Sequence, residues 1–314
     1  MKKIFCILMM FVILSFSMTS CGSDTNPSKD NKVYEILAVE KESIVVGKLS
    51  PEHEYYKQTV KLDPKCVDYI TEISIYDKEI DDTFVVHVSL PPEYDDSKVY
   101  PMIVMTDGVW RLSDHPELRQ MMKDGEIKPV IVVSVGYPNG YNYKEIRQRD
   151  FLKEPEKYLH FIVDNLIPYL SDQYSVDSEN MTLAGHSYGG YWGFYALFSS
   201  DTIGKNTFRN YFIGSPAFQA STGFKNIQSF EKAYFKRNKT LNCNVYVTAG
   251  NYEPTQFVEP IDNFIDFLKK RNYEGLNLSY EIIDGYNHDN VFKPSIKRAM
   301  LLFYGTEDNQ QQDN

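Results

Sequence analysis

A doubly wound α/β fold, with a mostly parallel sheet and helices on both faces, is predicted for residues 68–306. Three observations predict it. Strand-like and helix-like segments alternate from residue 69 to residue 303. Met102-Ile103-Val104-Met105 and Val130-Ile131-Val132-Val133-Ser134-Val135 are continuous apolar runs, as in strands covered on both faces. A strand, a sharp turn and a helix then follow one another across residues 181–198, with Gly185-His186-Ser187-Tyr188-Gly189 as the turn.

The elements before this region set its location. Met1-Lys2-Lys3 is a basic head and residues 4–16 are almost unbrokenly apolar, so residues 1–20 read as a secretory signal, too short for a first reading as a membrane span. Small and polar residues precede Cys21, and the site resembles a bacterial lipoprotein processing site at which Cys21 becomes the lipid-bearing first residue. Ordinary cleavage nearby, leaving a soluble secreted protein, is the alternative. Residues 21–32, rich in Ser, Asp, Asn and Lys, suit a tether. Residues 33–67 contain apolar stretches fit for an extra hairpin or a cap and have no assigned role.

The regular pattern starts at Tyr69. Residues 70–75 and 84–90 alternate like antiparallel strands, and Pro91-Pro92 ends the second. Residues 155–169 have helical spacing and lead into the strand before the turn. Residues 211–213, 244–248 and 278–283 supply three more strands, and 257–270 and 294–303 read as helices. A Gln/Asn-rich tail, 307–314, closes the chain.

The G-x-S-x-G turn carries the chemistry. A nucleophile elbow holds its serine in a strained turn that exposes the hydroxyl, and glycines flank it because side chains there would clash. Ser187 is the candidate nucleophile. In an α/β-hydrolase fold the acid and then the histidine follow the serine. His288 alone among six histidines lies downstream, in Asp284-Gly285-Tyr286-Asn287-His288-Asp289, a polar loop after the last strand. It is the candidate base. Glu253, just past the strand at 244–248, is the favoured acid, with Asp262, Glu259 and Asp289 as rivals. The oxyanion hole is expected from two backbone N–H groups, those of Tyr188 and of Val109 in the turn after residues 102–105.

Composition narrows the partners. With 33 basic and 43 acidic residues the net charge is −10, which repels phosphate backbones, so nucleic acid is not expected. No Cys/His spacing suggests a metal site and no Gly-rich phosphate loop is present, so no metal and no cofactor are expected. Cys66 and Cys243 remain as a pair for an oxidising compartment, a pairing sequence leaves open. The 24 Tyr and 19 Phe exceed the needs of a core, and some can line a groove for sugar or aromatic rings.

Pro91-Pro92-Glu93-Tyr94, the run from Tyr100 to Gly108, Arg149-Asp150-Phe151, the run from Gly185 to Gly190, and Gly285-Tyr286-Asn287-His288 follow in that order. Together they resemble the esterase D family of α/β-hydrolases, over about residues 68–304. This group includes enterochelin esterase-like proteins, feruloyl and acetyl esterases, S-formylglutathione hydrolases and mycolyltransferases. The resemblance implies that Ser187, an acid after the seventh strand (Glu253) and the late His288 do the chemistry. It implies an oxyanion donor at Gly108-Val109.

The function expected is hydrolysis of a carboxylic ester outside the cytoplasm, on feruloyl or acetyl groups of carbohydrate, by a chain held to the membrane through its N-terminal lipid. Trp110 and Arg149 are the tentative substrate contacts. Two alternatives stand: hydrolysis of a trilactone siderophore, an anionic aromatic metal complex that calls for cations such as Arg111, Arg147 and Arg149, and a non-catalytic glycan-binding lipoprotein on the same scaffold. A formylglutathione hydrolase is disfavoured because that substrate is cytosolic.

Overall fold

Six parallel strands form one end of a ten-stranded sheet: β7 (Tyr100–Thr106), β8 (Ile131–Gly136), β9 (Val176–His186), β10 (Asn210–Gly214), β11 (Thr240–Gly250) and β12 (Glu274–Ile283). On one side four antiparallel strands continue it: β1 (Val33–Glu35), β2 (Ser43–Lys48), β5 (Ile70–Asp77) and β6 (Asp82–Ser89). The spatial order is β1-β2-β5-β6-β8-β7-β9-β10-β11-β12. β3 (Glu52–Tyr55) and β4 (Gln58–Lys61) pair separately as a hairpin. The computed structural model describes residues 33–35, 43–49, 52–55, 58–61, 66, 68–221 and 226–306. The predicted signal, Cys21, the tether and the tail lie outside these described residues.

The continuous apolar runs are explained by what covers each face. Met102, Val104, Ile131, Val133 and Leu183 point into one core, which also holds Trp192 and Phe194 of α6 (Tyr188–Phe198) and Phe264 and Leu268 of α8 (Thr255–Arg271). Ile103, Met105, Val132 and Ala184, the alternate positions, point into the other. There they meet Leu118 and Met121 of α2 (Asp114–Lys123) and Ile296, Ala299 and Met300 of α9 (Phe292–Tyr304). Side chains alternate across a strand, so burying both faces requires an apolar residue at nearly every position.

Two strands from the segment 33–67, β1 and β2, join the sheet itself. β2 pairs with β5 from Ile44↔Ile75 to Lys48↔Thr71, and Ile44 is buried there. The long helical stretch expected at 155–169 is composite: α4 (Pro155–His160), a π-helical turn (Phe161–Leu166) and α5 (Ile167–Gln173). Between β10 and β11 lies α7 (Ile227–Arg237), a helix absent from the sequence reading, with Asn226 as its N-cap accepting the amide of Gln228 at 2.8 Å. Among the described residues no helix is long and apolar enough to cross a membrane.

Candidate active site

β9 ends at His186 and α6 begins at Tyr188, so one residue turns the chain. That residue is Ser187, at φ 60° and ψ −118°, a left-handed conformation that a side chain strains against. Backbone bonds hold it there: its amide donates to Gly214 O at 3.0 Å, and its carbonyl accepts from Tyr191 at 2.9 Å and Ala217 at 3.0 Å. A Cβ on Gly185 would lie 2.3 Å from the carbonyl oxygen of Gly189. One on Gly189 would lie 2.2 Å from Thr106 Oγ1 and 3.1 Å from Asp107 Oδ2. The first contact lets the turn close, and the second brings the end of β7 against the first turn of α6.

His288 reaches this hydroxyl from the loop after β12. Its Nε2 lies 3.0 Å from Ser187 Oγ and its Nδ1 lies 2.8 Å from Glu253 Oε2. An ionised carboxylate only accepts, so Nδ1 donates to Glu253 and Nε2 is left to accept the serine proton. Glu253, in the turn after β11, is buried. Its other oxygen, Oε1, accepts from Ser215 Oγ at 2.6 Å and from the Gly250 amide at 2.7 Å. Burial pushes this carboxyl up, but the bonds from His288, Gly250 and Ser215 outweigh it and hold the group below its ordinary value. The ring of His288 has Phe257 edge-on at 4.7 Å and His186 at 4.7 Å, tilted by 36°. Burial and the neighbouring His288, Arg111 and Arg147 charges push His186 well below the usual imidazole range, which favours the neutral form beside the base.

Of the four acids weighed from sequence, Glu253 is the one on the imidazole. Asp262 accepts the Tyr280 hydroxyl at 2.7 Å instead. Val109 sits in α1 (Gly108–Arg111), a single turn that packs on the end of β8: a Cβ on Gly108 would meet the Gly136 amide nitrogen at 2.7 Å. Trp110 is half-buried, edge-on to Tyr143 at 5.9 Å. The Arg149 guanidinium lies between Asp82, at 2.5 Å, and Asp150, at 2.7 Å, and ties β6 to the helical segment after β8. Arg147 is the arginine beside the elbow, bidentate to Asp107 and 5.2 Å from the Tyr188 ring.

Sequence reasoning missed Ser215, the Gly250 amide and the pairing of Arg147 with Asp107. Ser215 bears one local signal, since it stands two residues after the apolar run at 211–213, at a strand end facing the elbow. Its φ of 39° has no counterpart in the sequence. Cys66 and Cys243 are both free and buried, which decides against the disulfide that sequence left open.

The Esterase family model matches residues 78–300. The chain belongs to this family. The ferri-bacillibactin esterase BesA of Bacillus subtilis is 23% identical over 248 residues, spanning 69% of this chain and 83% of BesA. The siderophore hydrolase EstA of Aspergillus nidulans superposes with a TM-score of 0.64 at 16% identity, over 79% of this chain and 98% of EstA. A ferulic acid esterase gives a TM-score of 0.55 at 13% identity, over 75% and 97% of the two chains. The fold is the α/β-hydrolase fold, and the protein is an esterase.

Proposed function

We propose that Ser187 is the nucleophile of this esterase, His288 its base and Glu253 the acid that orients it. The unbroken hydrogen-bonded line from Ser187 Oγ through both ring nitrogens to Glu253 carries this reading. In the first step Nε2 takes the hydroxyl proton as Oγ bonds to the ester carbonyl carbon, and the Val109 and Tyr188 amides face the oxyanion. The alkoxide leaving group departs with the proton from His288, leaving an acyl-enzyme. Water, deprotonated by the same nitrogen, then releases the acid. Glu253, held ionised, stabilises the imidazolium in both steps. Hydrolysis of 4-nitrophenyl acetate by wild type and Ser187→Ala tests this, and equal rates in the two proteins would defeat it.

The substrate follows from charge and wall. The three arginines expected at the mouth each face a carboxylate: Arg111 on Asp114, Arg147 on Asp107 and Arg149 on Asp82 and Asp150. Their charge is compensated, which favours an uncharged acyl group beside Trp110, such as the feruloyl or acetyl ester of a carbohydrate. The second reading, an ester siderophore, is favoured by the likeness to BesA, a ferri-bacillibactin esterase, and EstA, a siderophore hydrolase. A feruloylated xylan oligomer and a ferric trilactone assayed side by side separate them; preference for the trilactone overturns the first choice.

Location is part of the same proposal. The basic head, apolar run and Cys21 support export and N-terminal lipidation. Fatty-acid labelling that persists in Cys21→Ser would remove the anchor.

A further inference from the structure

Arg147 lies 40 residues before Ser187 in sequence and has no part in the proton relay, yet its guanidinium touches both sides of the elbow. Its Nε donates to Asp107 Oδ1 at 2.6 Å and its Nη2 to Asp107 Oδ2 at 3.0 Å. Asp107 is buried and sits at φ 62° and ψ 47°, a left-handed conformation that an L side chain enters only when its surroundings hold it. That single residue turns the chain from β7 into α1, and its carbonyl accepts the Trp110 amide at 3.0 Å. The direction of the Val109 amide is therefore set by the conformation of Asp107. The same guanidinium carbon lies 5.2 Å from the ring centroid of Tyr188 and 4.9 Å from that of Trp110. Asp107 Oδ2 in turn stands 3.1 Å from where a Gly189 Cβ would be, against the first turn of α6.

We propose that Arg147 is a positioning residue that clamps the two halves of the oxyanion hole, holding the Val109 amide through Asp107 and the Tyr188 amide through ring contact. The inference rests on Ser187 being the nucleophile. A bidentate fork fixes both the distance and the plane of the carboxylate, which a lysine cannot do. An amide rotated off the oxyanion loses much of its effect on the transition state and little of its effect on the bound ester.

The test compares Arg147→Met, Arg147→Lys, Asp107→Asn and the Arg147→Met/Asp107→Asn double variant with wild type. Substrate kinetics use 4-nitrophenyl acetate. The second probe is an aryl trifluoromethyl ketone. Ser187 Oγ adds to its carbonyl carbon, the C=O π bond becomes an alkoxide, and the serine proton moves to His288 Nε2. Folding is followed by thermal melting, and Arg147→Lys takes the place of Arg147→Met if the latter does not fold. The expected result is a fall in kcat of about 10²-fold with KM within about twofold. The ketone should weaken in the same proportion as kcat, Arg147→Lys should recover little, and the double variant should lose no more than either single one. A folded Arg147→Met with wild-type kcat overturns the proposal. So does a loss confined to KM, which would make Arg147 a substrate contact, or a loss in kcat with unchanged ketone affinity. Ser187→Ala separates the two levels: full activity there removes the nucleophile itself, whereas an inactive Ser187→Ala beside a fully active Arg147→Met removes the clamp alone.

Discussion

Ser215 donates its hydroxyl to Glu253 Oε1 at 2.6 Å, on the side of the carboxylate away from His288. This bond does two things. It fills the second oxygen of a buried carboxylate, and it favours the ionised form that the imidazolium needs. Glu253→Gln keeps the shape but presents an amide to Nδ1, so kcat is expected to fall by ~10²–10⁴-fold with little change in KM. Ser215→Ala leaves the carboxylate in place and should lower kcat by roughly 3–10-fold, near the effect of one hydrogen bond. Steady-state kinetics check both. A Ser215→Ala enzyme as impaired as Glu253→Gln would mean that Ser215 does more than satisfy an oxygen.

The same carboxylate gives a stability signature. Its folded-state pKa lies below the unfolded value, so its contribution is complete above the unfolded value of about 4.5 and is lost as pH falls through the folded one. Ser215→Ala removes one of the bonds that lower it. The variant should therefore show a smaller loss of melting temperature than wild type between pH 5 and pH 3. An unchanged acid limb would show that the other bonds alone hold the group ionised.

The glycines of the elbow region differ in what surrounds them. A Cβ at residue 185 meets backbone at 2.3 Å, and backbone cannot step aside. Gly185→Ala is expected to lose soluble folded protein or at least ~3 kcal/mol of stability, together with activity. Gly193 lies in the interior of α6, and its nearest neighbour is a side-chain atom of Ile213 at 3.4 Å. Gly193→Ala should be neutral or stabilising by up to about 1 kcal/mol, through helix propensity. Urea titrations of both variants check this, and a Gly193→Ala as damaged as Gly185→Ala would contradict the contrast.

Much of this framework was legible in the sequence because it is written locally. Strands covered on both faces need unbroken apolar runs, which identified β7 and β8. A strained serine between close backbones needs glycines, which identified the elbow. Chain order then singled out His288. The parts that were not legible are contacts between distant segments: Arg147 with Asp107 across 40 residues, and Glu253 with Ser215 across 38. Arg149 and Arg147 have the same local character, two residues apart. Only the fold shows that Arg149 closes an ion-pair cluster with Asp82 and Asp150 while Arg147 meets the elbow. α7 was missed because its aromatic residues, Phe230, Tyr234 and Phe235, suit a loop wall as well as a helix face packed on α6.

Burial and not pairing explains the two cysteines. The Cys243 thiol is pushed up to about 12 by burial, so the thiolate is scarce at neutral pH. Alkylation of the native protein at pH 8 should leave the Cys66 and Cys243 peptides largely unmodified, and alkylation in urea without reductant should modify both. Protection of the pair in urea that reductant relieves would reveal a disulfide.

His115 offers a pH test through a group with no part in the proposed chemistry. It is fully buried beneath β6 and β8, with Nδ1 at 2.9 Å from Ser89 Oγ and Nε2 at 2.9 Å from Ser134 Oγ. Two hydroxyls suit a neutral ring, which donates from one nitrogen and accepts at the other. Burial, with a smaller contribution from His87, pushes its pKa down to about 3. The unfolded chain binds this proton near pH 6.5 and the native one does not. Stability must therefore fall as pH drops from about 6.5 toward 3, by ~1.4 kcal/mol for each unit. His115→Gln keeps two hydrogen-bonding ends and loses the titration. Between pH 7 and pH 5 wild type should lose about 2 kcal/mol more than this variant in urea unfolding. Parallel curves for the two proteins would mean that the native ring takes up its proton at an ordinary pH.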